Sequence, residues 1–208
     1  MMTLSTLCQD ILPFFPKENS IQITGISSDS RKVEPGNLFV AISGYESDGH
    51  NFVEEAVKKG AVALVVEKDV GINTVPVIKV ENSRKALALL ANRFYGDLSR
   101  KLLLVGITGT NGKTTVAFLV ESILATAGIE TGLVGTVVYK WKGHEVSANR
   151  TTPDSLNLHR MLKQMKSDGV EAVVMEVSSH ALALHRVLGV KFRAGIFTNL
   201  SRDHLDFH

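Results

Sequence analysis

Apolar residues occur along this chain in short runs and also at spacings of three and four, and the two patterns together predict an α/β protein. Short runs rich in valine, isoleucine and leucine predict strands, whereas apolar residues spaced three and four apart predict helices. In the first part of the chain, strands are predicted at 21–26, 38–42, 61–66 and 75–80, and helices at 51–59 and 83–95. These elements predict a small α/β domain covering residues 1–98.

A second domain is predicted over residues 99–208, where strands and helices alternate more strictly. Strands are predicted at 102–107, 133–139, 172–177 and 194–199, helices at 113–127, 155–167 and shortly after Ser179, and a hairpin at 141–144. Strict alternation predicts a doubly wound, mostly parallel sheet, which binds ligands at the carboxyl ends of its strands. In the first of these helices, the side chains predicted to face the sheet are Val116, Leu119, Val120, Ile123 and Leu124.

The turn between strand 102–107 and helix 113–127 is rich in glycine and is predicted to bind the phosphates of ATP or GTP. Its residues are Gly109, Thr110, Asn111, Gly112, Lys113, Thr114 and Thr115. Glycines allow the backbone to close around an anion, and the helix N-terminus attracts negative charge. Lys113 supplies a positive charge, and the hydroxyl of Thr114 or Thr115 is suited to Mg²⁺. The segment is a variant phosphate loop, because Ile107 stands where the usual spacing has glycine. A structural glycine turn with a solvated lysine is the alternative.

Composition and charge narrow the class of protein. The net charge of +2 over 208 residues gives no indication of nucleic-acid or membrane-surface binding. No apolar run reaches the roughly 18 residues that span a bilayer, and the N-terminus lacks the basic segment of a signal peptide. The single cysteine, Cys8, is predicted to be a buried residue and not a nucleophile. These features predict a cytoplasmic protein.

Glu176 interrupts an otherwise apolar strand, and a buried carboxylate there requires a cation. Mg²⁺ beside the nucleotide and a salt bridge to Arg186 or another basic residue are the two alternatives. The following Ser178, Ser179 and His180 lack the glycines of a hydrolase nucleophile elbow. Ser178 is therefore expected to cap a helix or to hydrogen-bond a substrate.

Two further polar segments follow predicted strands. Asp154 is expected to cap helix 155–167, while Thr151 and Thr152 serve either that turn or a substrate. Asp203, His204, Asp206 and His208 form either a solvated loop or a site in which His204 ligates a second metal. Their spacing is not that of a zinc site.

Several motifs together resemble the Mur ligases of peptidoglycan synthesis. They are Ser28-Asp-Ser-Arg-Lys-Val33, Asp48-Gly-His50, Gly109-Thr-Asn-Gly-Lys-Thr-Thr115, Thr151-Thr-Pro153, Glu176-Val-Ser-Ser-His180, His180-Ala-Leu-Ala-Leu-His-Arg186 and Asn199-Leu-Ser-Arg-Asp-His-Leu-Asp206. The resemblance implies an ATP-dependent amide ligase that activates the carboxylate of UDP-N-acetylmuramoyl-L-Ala-D-Glu as an acyl phosphate. The amine of meso-diaminopimelate or L-lysine then attacks this acyl phosphate.

The resemblance also implies roles for individual residues. Lys113, Glu176 and His204 would be catalytic, with Thr115 or Thr114 and Glu176 holding one Mg²⁺, and Glu176 and His204 a second. Contacts with the UDP-muramoyl substrate would come from Ser30, Thr151, Thr152, Ser178 and Arg186. The chain departs from the family pattern at Arg150, where asparagine is frequent, and at Leu184, where some members have glutamine.

Family members of this kind are more than twice as long as this chain. The resemblance therefore implies a UDP-substrate domain at 1–98 and an incomplete ATP domain at 99–208, without the C-terminal amino-acid-binding domain. Such a piece is expected to be a monomer and inactive in ligation by itself. A related Mur or folylpolyglutamate-type ligase and a non-catalytic nucleotide-binding module are the rival interpretations.

Overall fold

The computed structural model describes residues 2–12, 20–45 and 47–202. It divides the chain into two compact units, Met1–Phe94 and Tyr95–His208. Both units are α/β, as the apolar periods predict.

The N-terminal unit is built around a four-stranded parallel sheet. Its strands are β1 (Met2–Thr3), β2 (Gln22–Ile23), β3 (Gly25–Ser27), β4 (Asn37–Val40), β5 (Ala63–Val66) and β6 (Val77–Lys79), and its helices are α1 (Leu4–Cys8), α2 (Val53–Lys58) and α3 (Ser83–Phe94). The parallel sheet has the order β3-β4-β5-β6, while β1 and β2 form a separate antiparallel pair. The prediction of one strand at 21–26 is therefore wrong, because β2 and β3 lie in different sheets.

Alternating side chains of the central strands form the core of this unit. Phe39 on β4 and Leu64 and Val66 on β5 pack with Val53 and Ala56 of α2. All five are buried. Residues two apart on a strand share a face, so Leu64 and Val66 both lie on the face of the sheet that α2 covers.

The C-terminal unit contains a six-stranded mixed sheet. Its strands are β7 (Leu103–Thr108), β8 (Thr131–Val134), β9 (Val138–Trp141), β10 (His144–Ser147), β11 (Ala172–Glu176) and β12 (Ala194–Phe197), and its helices are α4 (Lys113–Thr126), α5 (Ser155–Ser167) and α6 (Ser179–Ala183). The order is β10-β9-β8-β11-β7-β12. Strands β8, β11, β7 and β12 are parallel, and β9 and β10 extend the sheet as an antiparallel hairpin.

Helices cover both faces of this sheet. On one face, Ala117 of α4 packs against Ile107 of β7 and Val174 of β11. On the other face, Leu158 of α5 packs in a cluster that includes Met175 of β11. Adjacent residues of one strand therefore reach opposite helices, which confirms the prediction of a doubly wound sheet.

The outer surface of α4 differs from the prediction. Val116, Val120 and Leu124 pack towards the sheet, as expected. Leu119 and Ile123 are 58% and 67% exposed, so the expectation that they face the sheet is wrong. Ala117 is the buried residue of α4 and marks the side that faces the sheet. At 3.6 residues per turn, Leu119 and Ile123 lie roughly 160° and 120° around the helix from Ala117.

The connection between β8 and β9 also differs from the prediction of one strand at 133–139. Gly135 to Val137 form a turn, so β8 ends at Val134 and β9 begins at Val138. The hairpin predicted at 141–144 is confirmed, because Trp141 pairs with His144 across a two-residue turn. Lys142 and Gly143 both have positive φ, as the tight turns that suit twisted hairpins require.

Two smaller expectations concern the N-terminus and the membrane. Cys8 is fully buried, and burial raises the pKa of its thiol to about 11, with the positive charge of Arg93 acting in the opposite direction. A thiol of this kind is unreactive near neutral pH.

Among the described helices, none combines the length and the apolar character that crossing a membrane demands.

Candidate functional site

The connection from β7 to α4 forms an anion-binding turn, which we call the phosphate loop (residues 109–112). Gly109 and Gly112 have φ values of 128° and 82°, a region that favours glycine. Gly112 is the N-cap of α4 and offers no side-chain cap to the helix. The first N–H groups of a helix have no intrahelical acceptor, so those of α4 are available to an anion.

Lys113 lies over this loop. Its ammonium donates hydrogen bonds to the carbonyl oxygens of Gly109 (2.7 Å) and Thr110 (2.9 Å). The positive charge is thus held at the mouth of the turn that the helix dipole already makes attractive to anions.

Glu176 ends β11 beside the phosphate loop and is only 1% exposed. Both of its carboxylate oxygens lie 3.0 Å from the hydroxyl of Thr114. Thr136 donates two further hydrogen bonds to this carboxylate, one from its backbone N–H at 2.8 Å and one from its hydroxyl at 3.0 Å. These bonds stabilise the buried carboxylate, and a side chain at Gly135 would collide with it.

The parallel register explains why these groups meet. Glu176 pairs with Ile107 across β11 and β7, so both strands end at the same edge of the sheet. Thr114, in the first turn of α4, then faces Glu176. Thr115, the other threonine that the sequence offers as a metal ligand, is exposed.

A pocket of about 540 Å³ opens at this edge of the sheet. Its lining residues are Thr110, Asn111, Gly112, Lys113, Thr114, Thr136, Arg150, Thr151, Glu176, Ser178, His180 and Arg186. Four basic side chains and one carboxylate therefore surround a single cavity, an arrangement suited to a polyanion.

Of the residues predicted to contact the UDP-muramoyl substrate, some line this pocket and one supports its wall. Thr151, Ser178 and Arg186 line it. Thr152 is fully buried; its hydroxyl donates to the Glu176 carbonyl oxygen (2.9 Å) and accepts from the Ser178 N–H (3.1 Å). The Thr152 hydroxyl thus links two strand-end segments behind the wall, and its predicted contact with the substrate stays a prediction.

Arg186 and Ser178 also make local contacts. The Arg186 guanidinium donates to the Thr152 carbonyl oxygen at 2.9 Å. Ser178 caps α6, since its hydroxyl accepts from the Ala181 N–H at 3.2 Å. Tyr139 positions another lining residue, because its hydroxyl donates a hydrogen bond to the backbone carbonyl oxygen of Arg150. Burial raises the pKa of this hydroxyl.

Two further predicted site residues are Ser30 and His204. Ser30 belongs to the N-terminal unit, where it is buried and donates its hydroxyl to Glu55 at 2.9 Å. His204 and its neighbours Asp203, Asp206 and His208 lie outside the described residues. Within the part of the chain that the structure does describe, no group of three or more His, Cys, Asp or Glu side chains is arranged to hold a metal.

Family models cover most of the chain. The model for the Mur ligase family catalytic domain matches residues 22–95, and the Mur ligase middle domain matches residues 107–208, which include the phosphate loop and Glu176. The chain belongs to the Mur ligase family.

Individual Mur ligases are also similar to this chain in sequence. The chain is 50% identical over 188 residues to a UDP-N-acetylmuramoyl-L-alanyl-D-glutamate–2,6-diaminopimelate ligase of Clostridium perfringens, covering 90% of this chain and 39% of the relative. It is also 50% identical to the enzyme of the same name from Listeria monocytogenes, covering 100% of this chain and 42% of the relative. The chain thus spans about 40% of the length of these curated relatives.

Solved Mur ligase structures share the fold. A structure of a ligase with the same diaminopimelate name superposes with a TM-score of 0.84 at 26% identity, over 100% of this chain and 42% of that one. The MurF ligase of Thermotoga maritima, solved in complex with ADP, gives a TM-score of 0.61 at 26% identity, over 90% of this chain and 39% of that one.

Some lining or supporting residues of this Mur ligase chain were not predicted as site residues from the sequence, among them Thr136, His180 and Asn199. Thr136 was hidden because a strand was predicted through the turn that carries it. His180 was considered only as part of a possible nucleophile motif and of the family motifs. Asn199 was grouped with the polar residues that follow it, although it ends a predicted strand at the same edge of the sheet.

Proposed function

We propose that this chain supplies the ATP site and the first-substrate site of a Mur ligase of the MurE type. Such an enzyme joins an amino acid to UDP-N-acetylmuramoyl-L-Ala-D-Glu during the synthesis of peptidoglycan precursors. The observation that carries the proposal is the convergence of Lys113, Thr114 and Glu176 on one pocket at the open N-terminus of α4.

The donors present fit Mg²⁺. A hydroxyl and a carboxylate are oxygen ligands of the kind that this ion prefers, and those of Thr114 and Glu176 already lie in contact. We assign these two residues as nucleotide-metal ligands, and His204, with Glu176, as the proposed holder of a second ion. When bound, the metal would neutralise phosphate charge.

The remaining lining residues are proposed to hold the UDP-muramoyl dipeptide. The pocket residues Arg186, Thr151 and Ser178, with Thr152 behind them, are proposed to bind its sugar-peptide part. Ser30 of the N-terminal unit is proposed to bind its uridine diphosphate. A substrate carboxylate oxygen would attack the γ-phosphorus of ATP, and the bond to the ADP oxygen would break. The positive charge of Lys113 would reduce the electrostatic repulsion between the substrate carboxylate and the phosphates of ATP.

An amine then displaces phosphate from the acyl phosphate, losing a proton as the amide forms. The names of the relatives support 2,6-diaminopimelate over lysine as the source of this amine. The proposed pathway supports cell-wall growth, shape and division, and it places the protein in the cytoplasm, where it would act as a monomer.

Substitution of Lys113 tests the ATP site directly. An ammonium 4 Å from a phosphate contributes about 4 kcal/mol at an effective dielectric of 20. To contact the phosphate, the ammonium must give up its two hydrogen bonds to carbonyl oxygens, which offsets about 2 kcal/mol of that binding energy. Lys113→Ala is therefore expected to raise the Kd for Mg·ATP at least tenfold in isothermal titration calorimetry.

Lys166→Ala is the matched control, because Lys166 is an exposed lysine of α5 remote in sequence from the loop. Its Kd should equal that of the wild type. Equal affinities for wild type and Lys113→Ala would refute the assignment. Titration with UDP-muramoyl dipeptide and with folate separates the rivals, since a folylpolyglutamate-type ligase would bind folate and a nucleotide-binding module would bind neither.

A further inference from the structure

Asn199 forms an unusual pair of hydrogen bonds with the phosphate loop. Its side-chain Oδ1 accepts from the backbone N–H of Asn111 at 3.1 Å, and its Nδ2 donates to the Asn111 carbonyl oxygen at 3.1 Å. One carboxamide therefore satisfies both backbone groups of a single loop residue, as a neighbouring strand does in an antiparallel ladder.

The backbone around Asn199 reinforces this contact. Its carbonyl oxygen accepts from the Thr110 N–H at 3.0 Å, and the hydroxyl of Thr198 donates to the Asn111 carbonyl oxygen at 2.7 Å. The backbone N–H of Ser201 donates a hydrogen bond of 2.9 Å to the Thr110 hydroxyl. The segment 198–201, at the end of β12, thus runs along one side of the phosphate loop.

Gly109 makes the close approach possible. A Cβ at this position would meet the hydroxyl of Thr198 and would lie 2.8 Å from the carbonyl oxygen of Asn199. The glycine therefore serves the contact with segment 198–201 as well as the positive φ of the turn.

These contacts divide the donors of the loop into two groups. The N–H groups of Thr110 and Asn111 are engaged by Asn199, so they are already oriented before any anion binds. The N–H groups of the first turn of α4 have no acceptor within the helix and are the ones we expect to face an anion. Holding Asn111 in place sets the path of the chain into Gly112 and Lys113.

We propose that Asn199 is a positioning residue that orders the phosphate loop for the nucleotide. This inference rests on the proposed ATP site. An asparagine is required because the pairing needs one acceptor and one donor on a short planar group. Leucine has a similar size and offers neither, whereas aspartate keeps the acceptor and loses the donor.

Amide hydrogen exchange measured by NMR, without nucleotide, tests the contact itself. In Asn199→Leu, exchange of the Asn111 amide is expected to be at least tenfold faster, while the amides of Val105 and Val174 in β7 and β11 keep their wild-type rates. In Asn199→Asp, the Asn111 amide should stay protected, because the acceptor is retained. Faster exchange throughout the unit, or no change at Asn111, would overturn the proposal.

Calorimetry with Mg·ATP tests the consequence. Asn199→Leu is expected to raise the Kd at least fivefold, whereas the control Ser201→Ala should leave it unchanged, since only the backbone of Ser201 contacts the loop. Wild-type affinity in Asn199→Leu would overturn the positioning role. Failure of the wild-type chain to bind ATP would instead overturn the proposed function, and the two failures are distinguished by the wild-type titration.

Discussion

His159 is a fully buried histidine of α5 whose two ring nitrogens have no hydrogen-bond partner among the described residues. Burial lowers the pKa of its imidazole from 6.5 to about 4, although the charge of Asp97 acts in the opposite direction. The folded protein therefore favours the neutral ring, while the unfolded chain takes up a proton near pH 6.5. The residue lies beside the apolar stripe of its helix, and nothing in the sequence pattern indicates that it is buried.

This shift predicts a pH dependence of stability. The contribution of neutral His159 is complete above pH 6.5 and falls as the pH drops to about 4, by about 3 kcal/mol in total. His159→Leu should flatten the pH dependence of the urea midpoint in this window and raise stability at pH 5. The exposed His144→Gln is the control and should keep the wild-type slope, because the buried imidazole is still present. A wild-type slope in His159→Leu would contradict the account.

At the scale of elements, α5 shows how one capping residue determines where a helix begins. Asp154 precedes its first residue and accepts a hydrogen bond from the Asn157 N–H at 3.0 Å. Asp154→Ala is expected to destabilise the protein by about 1 kcal/mol, measured from urea unfolding. Asp154→Ser should retain most of the stability, since serine also caps helices. Equal losses in both variants would show that capping is not the cause.

The sequence predicted most helices and strands to within two residues, and the boundaries of α5 were predicted correctly. Two of its failures have the same physical cause. The runs 21–26 and 133–139 each contain parts of two strands, and the pattern of apolar residues does not reveal where one strand ends and the next begins. Gly135 was a signal of a turn in the second run. The short helix α1 has too few residues for a period to be visible.

At the scale of the whole molecule, the site was partly predictable. Thr114 and Glu176 are 62 positions apart, yet both follow the rule that ligands bind at the carboxyl ends of parallel strands. The strand order β8-β11-β7-β12 depends on long-range pairing that no local pattern contains. The contact of segment 198–201 with the phosphate loop follows from that order, because β12 lies next to β7. The position of Asn199 at a strand end was visible in the sequence, but its contact with the phosphate loop could be recognised only in the structure.

The central claim is that the pocket at the start of α4 binds the phosphates of ATP. A crystal structure with Mg²⁺ and a nonhydrolysable ATP analogue tests it most directly. We predict that the Lys113 ammonium moves from the carbonyl oxygens of Gly109 and Thr110 to the β- and γ-phosphates, with Thr114 and Glu176 beside the metal. A triphosphate bound away from this loop, or a bound analogue with Lys113 still on those carbonyl oxygens, would contradict the account.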